Sequence, residues 1–501
     1  MTRRPRVRWA GLSQLSQLRD IVDGVTKRGP KRMAFELLQP TQRRARTAEA
    51  CSAVTAVLDA LKVPLTALIP RPSTPPAALL HLSTSERDRI RTVGPTLRIP
   101  CEQSIIELKR WLAKQYATET SAFQDPDCGG AYISDPITLV NHLAASSPFL
   151  AVGGDAGGGH VKLGITYRSA AGTQQFAALV VFSGKDTSDE LCALTQLDGL
   201  TPFTGASAAH ASIWSLLQAL IDGHPNAFLN GDWPFLCVVL GLKNASSKNP
   251  CPICSISSSN LLGTAKYRGK NNNPSALPAS QQLLRIAPER IVPMPLHLYL
   301  GLSNRLIIDA MGDLFDEKLV TKSVARIKTV HSAGKGGSSD LYDLNGAEIR
   351  KYIKRECPAA LLASGGDSLT AEQRSRHGIF TRWLEQLHKS LLHDDDWTPD
   401  AIEAWRAVVD DVQLAWQTET GQNPFPKLHM LRHTLEFAER HRMLGRVSEA
   451  QIESFHAKFG QLFHHNHRNM ASDTSERIRR SLADTTLHAV QPLLLASPSL
   501  L

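Results

Sequence analysis

The sequence predicts an α/β fold: a mixed sheet flanked by helices, with a large α-helical insertion and a basic helical N-terminal region. Three observations lead there. An apolar run, an alternating run and another apolar run, separated by Gly- and Ser-rich turns, fill "PFLAVGGDAGGGHVKLGITYRSAAGTQQFAALVVFSG", the pattern of three strands. A helix-like "HASIWSLLQALIDG" and a short apolar "AFLNGD" follow, giving strand, strand, strand, helix, strand. From Pro293 to about Thr420 the apolar residues recur at helical spacing, as in "LYLGLSNRLIIDAMGDLF", "GIFTRWLEQLHKSLL" and "DAIEAWRAVVDDVQLAWQ".

Taken in order, residues 1–68 are a basic helical DNA-binding candidate. Arg3, Arg4, Arg6, Arg8, Lys27, Arg28, Lys31, Arg32, Arg43, Arg44 and Arg46 are interleaved there with apolar residues, as in "MAFELLQ". "KRGPKR" within it also reads as a nuclear-import signal, which predicts a nuclear protein. Residues 69–147 read as a linker and pre-core helices, since "IPRPSTPPAALLHLSTSERDR" carries four prolines that interrupt any helix. Residues 148–255 hold the first part of the core, 256–420 the helical insertion and 421–501 the last site residues and a tail. With 501 residues, 42% of them hydrophobic, the chain can bury a large core. Its formal charge of +9 favours polyanionic partners. Six of the eight cysteines lack framework spacing, and neither a signal-peptide core nor an eighteen-residue apolar run occurs. The expectation is a soluble intracellular protein with no membrane partner.

Three strands, a helix and a strand are the opening of a ribonuclease H-like fold. Asp155 ends the first of those strands and Asp232 the fourth, so neighbouring strand ends could bring two carboxylates to a shared divalent metal. Taken singly, each is an ordinary turn residue after a strand. The glycines of "GGDAGGG" remove side chains and would let a nucleic-acid backbone approach.

Cys251 and Cys254 in "CPIC" have the spacing of a zinc knuckle, and a tetrahedral site needs two further ligands. His429 and His433 lie four apart on a predicted helix and point from one face, which completes a Cys₂His₂ set for a structural Zn²⁺. In "GRVSEAQIESFHAKFG", Ser448 and Gln451 match a capping box, so a helix is expected to begin at Ser448. Glu449 then serves the helix dipole in the first turn, and Glu453 is the better third metal-binding carboxylate. His456 reads as a solvated histidine.

Together these segments resemble the catalytic subunit of the V(D)J recombinase and its transposon relatives, the Transib transposases. "GDWPFLCVVLGLKNASSKNPCPIC" is similar to the family's segment with the second catalytic aspartate and the cysteine pair. "PLHLYLGLSNRLI" and "RHTLEFAERHRMLGRVSEAQIES" resemble its insertion and its final histidine-to-glutamate segment. The offsets from Asp232 to Cys251 and from His433 to Glu453 agree with the family's. The paired histidines stand four apart where the family has five, and nothing before Asp155 matches the recombinase's DNA-end-binding or zinc dimerisation modules.

The resemblance covers roughly 150 to 470. It implies a D-D-E DNA transposase or transposase-derived recombinase with Asp155, Asp232 and Glu453 catalytic and holding two Mg²⁺ (or Mn²⁺) ions, and with Zn²⁺ on Cys251, Cys254, His429 and His433. It further implies double-stranded DNA, both element ends and target, as partner, and a homodimer that cleaves and then joins strands. Two alternatives stand beside it: a catalytically inactive domesticated transposase acting as a DNA-binding protein, and a ribonuclease H-fold nuclease without strand transfer.

Overall fold

In the computed structural model the chain divides into two units, Ala113–Ala496 and a second formed by Met1–Leu112 with Ser497–Leu501. The structure describes residues 113–114, 116–125, 128–145, 147–169, 172–184, 213–243, 245–263, 265–268, 282–315, 320, 344–354, 357–466 and 473–496, all within the first unit. The basic module predicted over 1–68 and the proline-rich linker lie outside the described residues.

A six-stranded mixed sheet forms the core, in the order β1-β2-β5-β4-β3-β6. Strands β1 (Thr120–Asp125) and β2 (Cys128–Ile133) form an antiparallel pair that joins β5 (Gln174–Ser183). β5 pairs antiparallel with β4 (His160–Arg168), and β4 with β3 (Leu150–Gly157). Only β6 (Ala227–Gly231) runs parallel to its neighbour β3. Helices flank this sheet, and the arrangement is compatible with the expected ribonuclease H-like order. β1 and β2 extend the sheet into a region read from sequence as linker and pre-core helices. Only α1 (Pro136–Ala144), capped by Asp135, fits that expectation among the described residues there.

Strands β3 to β6 form where short apolar stretches dominate the sequence. Nearly all of β4 and all of β6 are buried, as strands covered on both faces must be. Gly158 and Gly159 have φ of 64° and 81°, so they turn β3 into β4 with two left-handed residues, a conformation that suits a tight hairpin. Past β6 the chain returns at Ile291, whose parallel bridge to Leu229 covers that edge.

Helix α2 (Ile213–Gly223) packs its apolar stripe on β6 and β3. Helix α3 (Trp233–Val239) starts directly after β6 because Asp232 accepts the Phe235 N–H at 2.8 Å and Pro234 occupies its first turn. The insertion begins with α4 (Pro295–Asn304), which continues through a π-turn (Arg305–Ala310) into α5 (Met311–Leu314). It goes on with α6 (Gly346–Lys354), α7 (Cys357–Gly365), α8 (Ala371–Leu391) and α9 (Pro399–Thr420). Trp383 of α8 stacks on Trp416 of α9 with ring centroids 6.2 Å apart.

Helix α10 (Pro426–His441) ties the insertion to the core, since it packs against α9 and α4 and sets Phe437 and His441 against Phe228 of β6. Trp405 of α9 donates to Thr434 Oγ1 at 3.0 Å, and Gln413 to the Leu428 carbonyl at 2.8 Å. Helix α11 (Ala450–Gln461) lies against β3, β4 and β5, with Phe455 on Phe176. Helix α12 (Thr474–Ala496) covers β1, β2 and β5, where the Tyr167 hydroxyl reaches the Ala489 carbonyl.

Candidate metal centres and acidic cleft

Cys251, Cys254, His429 and His433 offer one ligand atom each, all within 4.8 Å of one another, and all four side chains are buried. The loop "CPIC" is held by bonds of its own. The Ile253 and Cys254 amides lie 3.3 and 3.4 Å from Cys251 Sγ, and residues 266–268 pair back on Ile253 and Ser255. Arg268 donates to the Cys251 and Asn249 carbonyls and so braces the turn.

Each histidine is oriented from behind. His429 Nδ1 lies 2.9 Å from the Leu261 carbonyl and His433 Nδ1 2.7 Å from Glu436 Oε2, which also accepts the Tyr267 hydroxyl at 2.6 Å. Both Nε2 atoms therefore face the cysteines; that of His429 is 3.1 Å from Cys254 Sγ, and that of His433 is buried with no hydrogen-bond partner. A histidine pinned at one nitrogen and aimed with the other is the arrangement around a ligated metal. The neighbouring Cys251, and after it His429 and His433, hold the Cys254 thiol well below its ordinary range. Burial pushes the Cys251 thiol well up. Spacing of four rather than five does not keep His429 out of the group.

A second group forms at the ends of the core strands. Asp155, His297 and Glu453 present ligand atoms within 4.8 Å of one another. Asp155, expected at the end of its strand, lies within β3, which runs on to Gly157, and is buried; Glu453 comes from the first turn of α11 and is exposed; His297 comes from the first turn of α4. His297 Nε2 lies 3.7 Å from Glu453 Oε1. Partial burial and then the Asp155 charge raise the Glu453 carboxyl above its usual range, while burial lowers the His297 imidazole.

Asp232 is not in that group. The register that pairs Gly154 with Gly231 puts it beside Asp155 along the chain ends, but its carboxylate caps α3. It lines the adjoining cleft with Trp233, Pro234, Met294, His297, Leu298 and Lys427. Two of the three expected carboxylates thus come together, and the third lines the adjoining cleft with His297.

Three expectations are corrected. Helix α11 starts at Ala450, not at Ser448: Gln451 lies 3.5 Å from Gln174, so no capping box forms. Glu449 is 1% exposed rather than a surface partner of the dipole, and it accepts the His297 N–H at 2.8 Å, capping α4 instead. Burial, and then the charges of Asp155 and Asp232, outweigh that hydrogen bond and push its carboxyl up to about 8. His456, expected in solvent, lies with Nε2 3.4 Å from Asp155 Oδ2.

The glycines around Asp155 serve packing as much as access. A Cβ on Gly153 would meet Asn230, and one on Gly154 would meet Leu163 and Phe235, whereas Gly158 and Gly159 face open space. Sequence reasoning also missed Lys162, 1% exposed on β4 opposite Asp155. Burial lowers its ammonium to about 8, against the pull of Asp155 and Glu453. One signal was available: a lysine in the middle of the apolar run "HVKLGIT" cannot escape to water.

No family model matches the chain, and no curated protein matches it.

Proposed function

We propose that the protein is a DNA transposase, or a recombinase derived from one, with a D-D-E site on a ribonuclease H-like core. The observation that supports this best is the meeting of Asp155 and Glu453, from opposite ends of the described core, at the strand ends where Asp232 also lies. Order and spacing of the motifs in the sequence support the same family.

The donor set fits the ions this reading needs. Asp155, Glu453 and Asp232 offer the hard oxygens that Mg²⁺ or Mn²⁺ takes, and would hold them. Bound there, such ions supply a Lewis acid on a phosphate oxygen and a bound water of lowered pKa. His297, neutral because burial lowers its pKa, is a poor Mg²⁺ ligand but a good N–H donor to a phosphate oxygen. Cys251, Cys254, His429 and His433 fit Zn²⁺, whose tetrahedral Cys₂His₂ sites are structural. Double-stranded DNA is the partner, bound by a homodimer, and the basic segment 1–68 supplies phosphate contacts.

The test is Mg²⁺-dependent nicking of duplexes carrying the inverted repeats that flank the gene, followed by joining of pre-cleaved 3′-OH ends to a plasmid. Cutting and joining together support the reading. Cutting without joining points to a nuclease, and DNA binding with neither points to an inactive descendant.

A further inference from the structure

Lys162 is buried in the sheet with its ammonium directed at three acceptors. They are the Gly157 carbonyl, the His160 carbonyl at 3.0 Å and His456 Nδ1 at 2.8 Å. An ammonium has three protons and no lone pair, so it can only donate. His456 Nδ1 must therefore be the unprotonated nitrogen of its ring, and the ring proton sits on Nε2. That nitrogen is buried with no hydrogen-bond partner and lies 3.4 Å from Asp155 Oδ2, so its N–H acts on the carboxylate as a nearby dipole and not as a formed hydrogen bond. Asp155 Oδ1 accepts the N–H of Ala156 at 2.7 Å. One oxygen of the carboxylate is thus hydrogen-bonded by the backbone, and the other has the His456 ring beside it.

Gly157 makes room for this chain of contacts. A Cβ built there would come within 2.6 Å of His456 Cε1 and overlap the ring. Its φ is not among the positive ones, so glycine is needed at this position for the histidine and not for the turn. Three residues of unlike chemistry, Gly157, Lys162 and His456, thereby serve one arrangement.

We infer that Lys162 and His456 are positioning residues: the buried lysine fixes the tautomer of His456, and His456 fixes the Asp155 carboxylate for a divalent cation. This rests on the proposed D-D-E reading for the identity of the ligand, though the tautomer follows from the contacts alone. Outer partners of this kind typically change metal affinity by ~10–100-fold.

The experiment measures Mn²⁺ binding to the full-length protein by titration calorimetry, with thermal melting alongside. Gly157→Ala, which leaves Lys162 and Asp155 chemically intact, and His456→Leu should each weaken Mn²⁺ binding by ~10–100-fold. His456→Gln, whose amide N–H can take the place of Nε2–H, should recover most of the loss. Lys162→Met should resemble His456→Leu; if it fails to fold, Gly157→Ala decides. Nitrogen NMR of ¹⁵N-histidine-labelled protein without metal should show His456 protonated on Nε2 alone. An Nδ1–H tautomer, or Mn²⁺ binding by a folded Gly157→Ala protein equal to wild type, overturns the inference while leaving the D-D-E reading intact. Wild-type protein that takes up no Mn²⁺ overturns the D-D-E reading and the metal half of the inference, whatever the tautomer.

Discussion

The two candidate metal groups differ in almost every property that decides what a metal does. At the cysteine-histidine group all four side chains are buried, each histidine is pinned from behind, and the donors are soft or borderline. At the acidic group the donors are two carboxylates and an imidazole, one of them exposed, and a cleft opens beside it toward Asp232. A closed four-ligand site holds structure together, whereas an incomplete open one leaves room for substrate. The contrast teaches that burial separates the two roles better than residue type does.

The largest effect that can break this comparison is loss of the closed site. Cys251→Ser or His433→Ala should remove a stoichiometric metal, seen by elemental analysis, and lower the melting temperature steeply. In isolated peptides such sites contribute on the order of ~10 kcal/mol to folding. A Cys251→Ser protein that melts like wild type would mean that the four residues are merely packed together.

The open site should behave in the opposite way. Asp155→Ala and Glu453→Ala should melt near wild type and lose DNA cleavage by ~1,000-fold or more, since metal stabilisation of the transition state contributes several kcal/mol. Retained cleavage in both variants would remove the acidic group from the chemistry.

Asp232 sharpens the boundary between the roles. Asp232→Asn keeps an oxygen for the Phe235 N–H but gives up the charge, while Asp232→Ala also gives up the cap and should cost about 0.5–2 kcal/mol. If the carboxylate serves metal, both variants fail to cut and only the alanine protein is less stable. Cleavage surviving in the asparagine variant would reduce Asp232 to a cap.

The smallest effect belongs to Glu449→Gln. Burial keeps Glu449 neutral at neutral pH, so Glu449→Gln should be nearly silent in melting and cleavage. Glu449→Ala leaves the His297 N–H unpaired and should cost about 1–3 kcal/mol. A glutamine variant as unstable as the alanine one would show that the charged carboxylate is the form the fold uses.

How much of this the sequence disclosed depended on how local each signal was. Cys251 with Cys254, and His429 with His433, are pairs within one loop and one helix, so spacing alone exposes them. Strands β3 to β6 were legible because apolar or alternating runs bounded by turn residues mark each of them. Strands β1 and β2 were not: "TSAFQDPDCGGAYI" is full of turn formers, and its pairing partner β5 lies elsewhere in the chain. His297, His456 and Lys162 carry no local mark of function beyond the odd lysine in an apolar strand. Their roles come from contacts between distant elements. Glu449 misled for the same reason, because the helix it caps is α4 and not the one it precedes.

The bond between Lys162 and His456 spans 294 positions of sequence. A loop of that length closes late, since contacts between distant segments must wait for the chain between them. During synthesis β3 and β4 emerge long before α11, so a growing chain contains Asp155 and Lys162 without the histidine that joins them. Until His456 and Glu453 have left the ribosome the acidic group is not assembled. The order of the sequence therefore acts as a safeguard: an unfinished or truncated copy of this chain carries only half of the acidic group.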